Sequence, residues 1–169
     1  EAKSLNKLGW EIKEANNIGS INAAKVFASL KNQKFKNDLL IISSWRGNIE
    51  IDFDYLEQYK AMTEMHTFLN SLIIKENYKA SIILRSRRDG IHFFIKEFNL
   101  NEEEYYRNIY GNRCEIIENK TLEKEIYEAI NKSHLSVSFL TTAILEGHIY
   151  GHNSIYLNSG YEYVVDARL

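Results

Sequence analysis

The chain of 169 residues has no proline and only one cysteine, Cys114. Average usage would give roughly 8 prolines in a chain of this length, so proline kinks and proline-rich ligand segments are excluded. A single cysteine excludes an internal disulfide, and we interpret Cys114 as a small buried hydrophobic residue. This usage is typical of a reducing compartment, and we expect a cytoplasmic protein. Secretion without a disulfide is the alternative.

Long apolar runs are also missing. No stretch approaches the ~20 residues that a membrane span needs, and no signal peptide is visible, so we expect no membrane contact. The sequence begins at Glu1 rather than methionine, which indicates a fragment of a longer chain. Its length and its 44% hydrophobic content predict that residues 1–169 form a single domain with a buried core.

The motifs of common enzyme classes are absent as well. The chain has no glycine-rich phosphate loop, no Gly-x-Ser-x-Gly and no Cys-x-x-Cys. Its net charge of −2 argues against a general nucleic-acid binder. We therefore predict no cofactor. His148 and His152 have the H-x3-H spacing of a zinc-binding helix, but Gly147 and Gly151 in the same stretch favour a loop, and we predict no bound metal.

What the sequence does contain is a pattern of β-hairpins. Between Ser81 and Phe98 two apolar runs flank Asp89-Gly90, a dipeptide that favours a two-residue type I′ turn. The register set by this turn pairs Leu84 with Ile95 and predicts one apolar face. The opposite face is basic and aromatic: Arg85, Arg87, His92, Phe94 and Lys96.

Two more segments resemble this hairpin. Leu39–Phe53 would turn at Arg46-Gly47-Asn48, and a third hairpin would join Ser154–Leu157 to Tyr161–Val165. Tight turns enforce antiparallel pairing. We therefore expect an α+β fold, in which an antiparallel sheet built from three hairpins carries five to six helices mainly on one face.

Helical periodicity supplies those helices. Their predicted starts are Leu5, Ser20, Asp54, Asn101 and Thr121, and the one from Asp54 extends to Ile73 with His66 on its apolar stripe. We expect His66 to be a hydrogen-bonded core residue. Residues 135–145 alternate like a strand and also repeat like a helix, and Glu146-Gly147 at the end favours the helix.

The first functional hypothesis is a protein-binding inhibitor of the immunity or antitoxin type, which neutralises a basic enzyme such as a nuclease toxin. Acidic and aromatic side chains at the second hairpin would form its partner-binding surface: Trp45, Glu50, Asp52, Tyr55 and Glu57. The same carboxylates also fit a simpler role as helix caps and as the polar side of a hairpin.

The alternative hypothesis is an enzyme, a metal-independent ribonuclease of the toxin type. His92 with His148 or His152 would supply the general base and acid, and Arg85 or Arg87 would stabilise the charge on the reacting phosphate of RNA. Solvated arginines at a sheet edge and an ordinary histidine-containing loop explain the same residues without any catalysis.

Overall fold

The structure, a computed structural model, describes residues 21–30, 34–44, 53–85, 102–119, 124–139 and 141–157. Within these ranges, helices and strands alternate along the chain. They are α1 (Ile21–Ser29), β1 (Asn37–Ile42), α2 (Phe53–Glu76), β2 (Ala80–Ile83), α3 (Glu102–Tyr110), β3 (Cys114–Ile117), α4 (Glu125–Asn131), β4 (Ser133–Ser138), α5 (Thr142–Ile149) and β5 (Ser154–Tyr156).

The five strands form one all-parallel sheet in the order β3-β2-β1-β4-β5. From β1 the chain moves outward through β2 to β3, crosses back to place β4 on the other side of β1, and continues to β5. Each connection between strands contains a helix, as parallel pairing requires. The fold is therefore α/β with a Rossmann-like arrangement, and the expected antiparallel α+β fold is wrong.

The predicted hairpin at Ser81–Phe98 fails because β2 has no free edge. Ile82 pairs with Ile41 of β1 on one side and with Ile116 of β3 on the other. The amide of Leu84, which the hairpin would pair with Ile95, donates to the carbonyl of Ile117 at 2.9 Å. The second half of this segment, residues 86–98, lies outside the described residues.

The second predicted hairpin, Leu39–Phe53, is wrong for the same reason. Ile41 of β1 pairs with Ile82 and with Val137, so both edges of this strand are occupied. Phe53, expected to end a strand, begins α2 instead. In the third hairpin β5 pairs in parallel with β4. Its expected antiparallel partner, Tyr161–Val165, lies outside the described residues and stays a prediction.

Both faces of the sheet are covered, not mainly one. On the first face Leu39 and Ile41 pack with Leu69 and Ile73 of α2 and with the tyrosines of α3. On the second face Leu40 and Ile42 pack with residues of three helices, α1, α4 and α5. Continuous apolar strands such as Leu39–Ile42 are typical of parallel sheets that are buried on both sides.

Several local predictions are confirmed. The helices expected from Asp54 and Asn101 are α2 and α3, and Gly111 ends α3 with a φ of +59°. The helix favoured for residues 135–145 is wrong in its first part, because β4 extends to Ser138 and α5 begins only at Thr142. No helix in the described part of the chain combines the length and the apolar character needed to cross a membrane.

Burial on both faces makes a testable prediction for β1. Leu40→Ala and Ile41→Ala, which empty opposite faces of the sheet, should each lower the free energy of unfolding by about 2–5 kcal/mol. Both side chains are fully buried. Urea unfolding followed by circular dichroism measures the loss. The exposed Ile74→Ala in α2 is the control and should change stability by under ~0.5 kcal/mol. A sheet open on one face would tolerate one of the two core substitutions.

Candidate functional site

The strand order reverses between β1 and β4, and this reversal defines the candidate site. After β1 the chain leads to α2 on the first face of the sheet, whereas after β4 it leads to α5 on the second face. In doubly wound folds, two connections that leave neighbouring strands in opposite directions leave a crevice at the carboxyl ends of those strands. In doubly wound sheets, ligands bind in the crevice at this reversal point. We call it the switch crevice, bounded by Ser43, Ser44, Ser138 and Thr141.

Two serine hydroxyls bridge the switch crevice. The Oγ atoms of Ser44, which follows β1, and Ser138, which ends β4, lie 3.2 Å apart. Ser138 donates its single proton to the carbonyl of Ile42 at 2.9 Å. Ser44 must therefore be the donor in the serine pair, and Ser138 the acceptor. The pair holds the ends of two strands together with polar groups rather than apolar ones.

Helix α5 begins at the same edge. Thr141 is its N-cap in extended conformation, and its hydroxyl accepts from the amide of Ala143 at 3.4 Å. The first turn of α5 contains no acidic side chain. Free amides at a helix N-terminus carry a partial positive charge and donate hydrogen bonds. This end of α5 therefore favours an anionic group.

A buried chain of hydrogen bonds lies beside the crevice on the first face. Tyr106 of α3 donates to Ser43 Oγ at 3.0 Å, and Ser43 donates in turn to a carboxylate oxygen, Oε1 of Glu102. The same oxygen accepts the backbone amide of Arg85 at 2.8 Å. The backbone amide of Ser44 donates to the Tyr106 hydroxyl. One chain of contacts thus joins the ends of β1 and β2 to the start of α3.

Burial keeps the hydroxyl of Tyr106 protonated. The ring is fully buried, and desolvation, the largest cause, raises its pKa well above the ordinary value, since an ionised phenolate would lose its hydration there. Tyr106 is therefore a hydrogen-bond donor at physiological pH. Glu102, only 3% exposed, is held by donors from two different strand ends.

His66 is confirmed as a core histidine. Its Nδ1 lies 2.7 Å from the hydroxyl of Tyr110, and its ring packs on Phe139 with centroids 4.7 Å apart. Burial lowers its pKa to about 3, so the imidazole is neutral. Cys114 is also buried as expected, and burial raises the pKa of its thiol to about 12, which argues against a nucleophile.

The structure does not bring the predicted catalytic residues together. Arg85 follows β2 at the carboxyl edge of the sheet, with an exposed side chain. His148 and His152 lie at the opposite, amino edge, where with His134 they line a cavity of about 500 Å³. Arg87 and His92 lie outside the described residues. Arg85 and the His148/His152 pair are therefore separated by the length of the sheet.

The amino edge is nevertheless well formed. Phe27 of α1 stacks on Tyr150 and His152, with centroid distances of 4.8 and 4.9 Å, beside a second cavity of about 550 Å³. Burial lowers the pKa of His152. The expected loop begins only after α5, because Gly147 and His148 are helical. Among the described residues no group of His, Cys, Asp or Glu is arranged to hold a metal ion.

The predicted partner-binding surface is only partly within the described residues. Trp45, Glu50 and Asp52 lie outside them. Tyr55 and Glu57 belong to the first turns of α2, where only the backbone is described. The structure therefore does not test whether these side chains form one acidic surface.

Sequence reasoning missed the residues that bound the switch crevice. A usable signal was present, because apolar strands run directly into small hydroxyl residues, LLIISS at the end of β1 and SFLTT after β4. An acidic residue at a helix start, as Glu102 is, usually does no more than complement the helix dipole. Its contacts with Ser43 and Arg85 join segments far apart in sequence, which no local pattern reports.

Comparison of this chain with protein-family models, with curated proteins and with solved structures found no match.

The buried His66 predicts a specific pH dependence. Its folded pKa of about 3 lies below the ordinary histidine value of 6.5, so the unfolded chain binds the extra proton first. The stabilisation by neutral His66 is complete above pH 6.5 and is lost as the pH falls towards 3. His66→Gln should flatten the loss of unfolding free energy over this range.

Urea titrations at several pH values measure that slope. The matched control is His134→Gln, which changes an exposed imidazole and should keep the slope of the parent protein. Equal slopes for all three proteins would contradict the burial of a neutral His66.

Proposed function

We propose that this chain is a ligand-binding α/β domain that holds a phosphate-bearing small molecule, such as a nucleotide, in the switch crevice. The observation that carries the proposal is the reversal of strand order between β1 and β4. Ligands of open parallel sheets bind at this position because the loops diverge there and leave backbone groups accessible.

The chemistry of the crevice supports a phosphate group. The first turn of α5 provides backbone amides without a competing carboxylate. The hydroxyls of Ser44 and Thr141 lie at the same edge and are partly exposed, and Ser44 can turn its proton from Ser138 to a ligand oxygen. Ser138 is fully buried and gives its proton to Ile42, so it is not a donor to the ligand. Amide and hydroxyl donors grouped at a helix N-terminus match the several acceptor oxygens of a phosphate. The exposed Arg85 after β2 adds a positive charge to this edge of the sheet.

The amino-edge cavities fit such a ligand less well. That edge receives the carboxyl ends of the helices, whose partial charge is negative and disfavours an anion. Aromatic rings there stack mainly on one another, as Phe27 does on Tyr150 and His152, rather than leaving a face for a ligand. The helix dipoles of the fold thus favour the carboxyl edge.

The mode of binding should differ from that of common dinucleotide-binding domains. Those domains place a glycine-rich turn directly after β1, so that the pyrophosphate approaches the backbone. Here Ser43 and Ser44 follow β1, and Ser43 is engaged by Glu102 and Tyr106. We therefore assign the phosphate to the β4–α5 side of the crevice.

The two functions expected from the sequence, the inhibitor and the ribonuclease, stay predictions. Both were inferred from an antiparallel sheet with one polar face in contact with solvent. In the described residues helices cover both faces of the sheet, so that support for either function is gone. The distance between Arg85 and the amino-edge histidines removes one further argument for the ribonuclease.

A direct test measures nucleotide binding by isothermal titration calorimetry with ADP, GDP, CDP, UDP and inorganic phosphate. Thr142→Glu places a carboxylate in the first turn of α5, where it suits the helix dipole and should not destabilise the fold. It should weaken binding of the nucleotides at least tenfold, since two anions would compete for one site.

The matched control is Leu145→Glu, which adds the same charge to an exposed position further along α5. It should leave the affinity within about twofold of the parent chain, because the helix-terminal field acts mainly over the first turn. Absence of binding by all five compounds, or equal binding by the Thr142→Glu variant, would contradict the proposed function.

A further inference from the structure

We infer that Tyr106 and Glu102 are positioning residues, which act through Ser43 to hold Ser44 at the switch crevice. Only the expected effect on ligand affinity rests on the proposed function. The position of Ser44 itself is a property of the free protein. The observation behind it is the buried chain of hydrogen bonds that runs from Ser44 through Tyr106 and Ser43 to Glu102.

The direction of every bond in this chain is fixed. Ser43 has one hydroxyl proton and gives it to the Glu102 carboxylate. Tyr106 gives its own proton to Ser43, so its oxygen is left to accept the amide of Ser44. If either hydroxyl turned its proton the other way, two hydrogen-bond donors would face each other. The carboxylate therefore orients the two hydroxyls, and the second hydroxyl fixes the backbone amide of Ser44, two residues after β1.

This chain continues the order of β1 beyond its last paired residue. The amide of Ser43 still donates to the carbonyl of Ile83 in β2, at 3.1 Å. The next amide, that of Ser44, donates instead to the side chain of Tyr106 on α3. A helix thus takes the place of a neighbouring strand. Tyr106 of this helix therefore fixes the position of Ser44, whose hydroxyl lies 3.2 Å from that of Ser138 across the switch crevice.

Glu102 extends the same control to β2. Its Oε1 also accepts the amide of Arg85, so one carboxylate fixes the ends of two adjacent strands against the start of α3. The surrounding core is otherwise apolar and aromatic. Apolar residues of similar size would fill such a space without the desolvation of a carboxylate. The presence of this polar chain at the edge of the crevice indicates that it positions the strand ends and does not only stabilise the fold.

The test is a double-mutant cycle that combines Tyr106→Phe with Ser44→Ala. Tyr106→Phe keeps the ring and removes only the hydroxyl. In the free protein, NMR should show faster hydrogen exchange and a shifted resonance for the Ser44 amide. With ADP as the probe, Tyr106→Phe should weaken binding about tenfold in the parent chain. In the Ser44→Ala background the loss should be less than about twofold, because the hydroxyl that Tyr106 positions is already missing.

Two controls separate positioning from general destabilisation. Tyr105→Phe removes a hydroxyl from the same helix that contacts Thr63 instead, at 3.1 Å, and should leave the Ser44 amide unchanged. Glu102→Gln keeps an oxygen that accepts both bonds and should preserve the Ser44 amide signal, whereas Glu102→Leu should not.

An unchanged Ser44 amide in the Tyr106→Phe variant would overturn the inference, and so would equal losses of ADP affinity in both backgrounds. Failure of ADP and the other nucleotides to bind the parent chain would count against the proposed function alone. The amide measurement needs no ligand and decides the positioning role independently.

Discussion

The structure depends on one constraint, which is that β1 is paired on both edges and covered on both faces. Its side chains alternate between two cores, Leu39 and Ile41 in one and Leu40 and Ile42 in the other. Its neighbours β2 and β4 both run parallel to it, and parallel strands need helical crossovers between them, as the helices between successive strands provide. Because all strands then run in one direction, their carboxyl ends meet at one edge, and the crevice follows from the order in which the chain places them.

Polar groups in this molecule are concentrated where apolar packing ends. The two cores on either side of the sheet are built from apolar side chains, whereas at the carboxyl edge serine hydroxyls and one buried carboxylate join strands to helices. Hydrogen bonds are directional, so they fix positions more closely than aliphatic contacts of equal area. Helix N-termini at this edge add a field that attracts anions. The first turn of α5 has no acidic side chain, whereas the first turn of α3 at the same edge carries Glu102, Glu103 and Glu104, so the anion-binding character belongs to the α5 side.

The amino edge shows the contrast. The histidines at this edge are residue types that suit catalysis or metal binding, and His148 and His152 have the H-x3-H spacing of a zinc-binding helix. The end of α5 nevertheless lies between them, and the described residues form no metal-binding group. Residue types that suit catalysis were therefore present without the geometry that would join them to Arg85. The residues that do share an edge are less conspicuous ones, two serines and a threonine.

The sequence by itself determined the local elements. The stripe of apolar residues after Asp54 predicted α2, and the helix start expected at Asn101 predicted α3. The burial of His66 followed from its place on an apolar stripe. Only the tertiary structure decided which strands pair. An Asp-Gly turn stabilises a hairpin through a few local contacts, whereas the position of β2 between two parallel strands and two helical layers buries far more apolar surface. Periodicity reports which side chains are buried, but the choice of partner depends on contacts between segments distant in the chain, and the candidate site is made of such contacts.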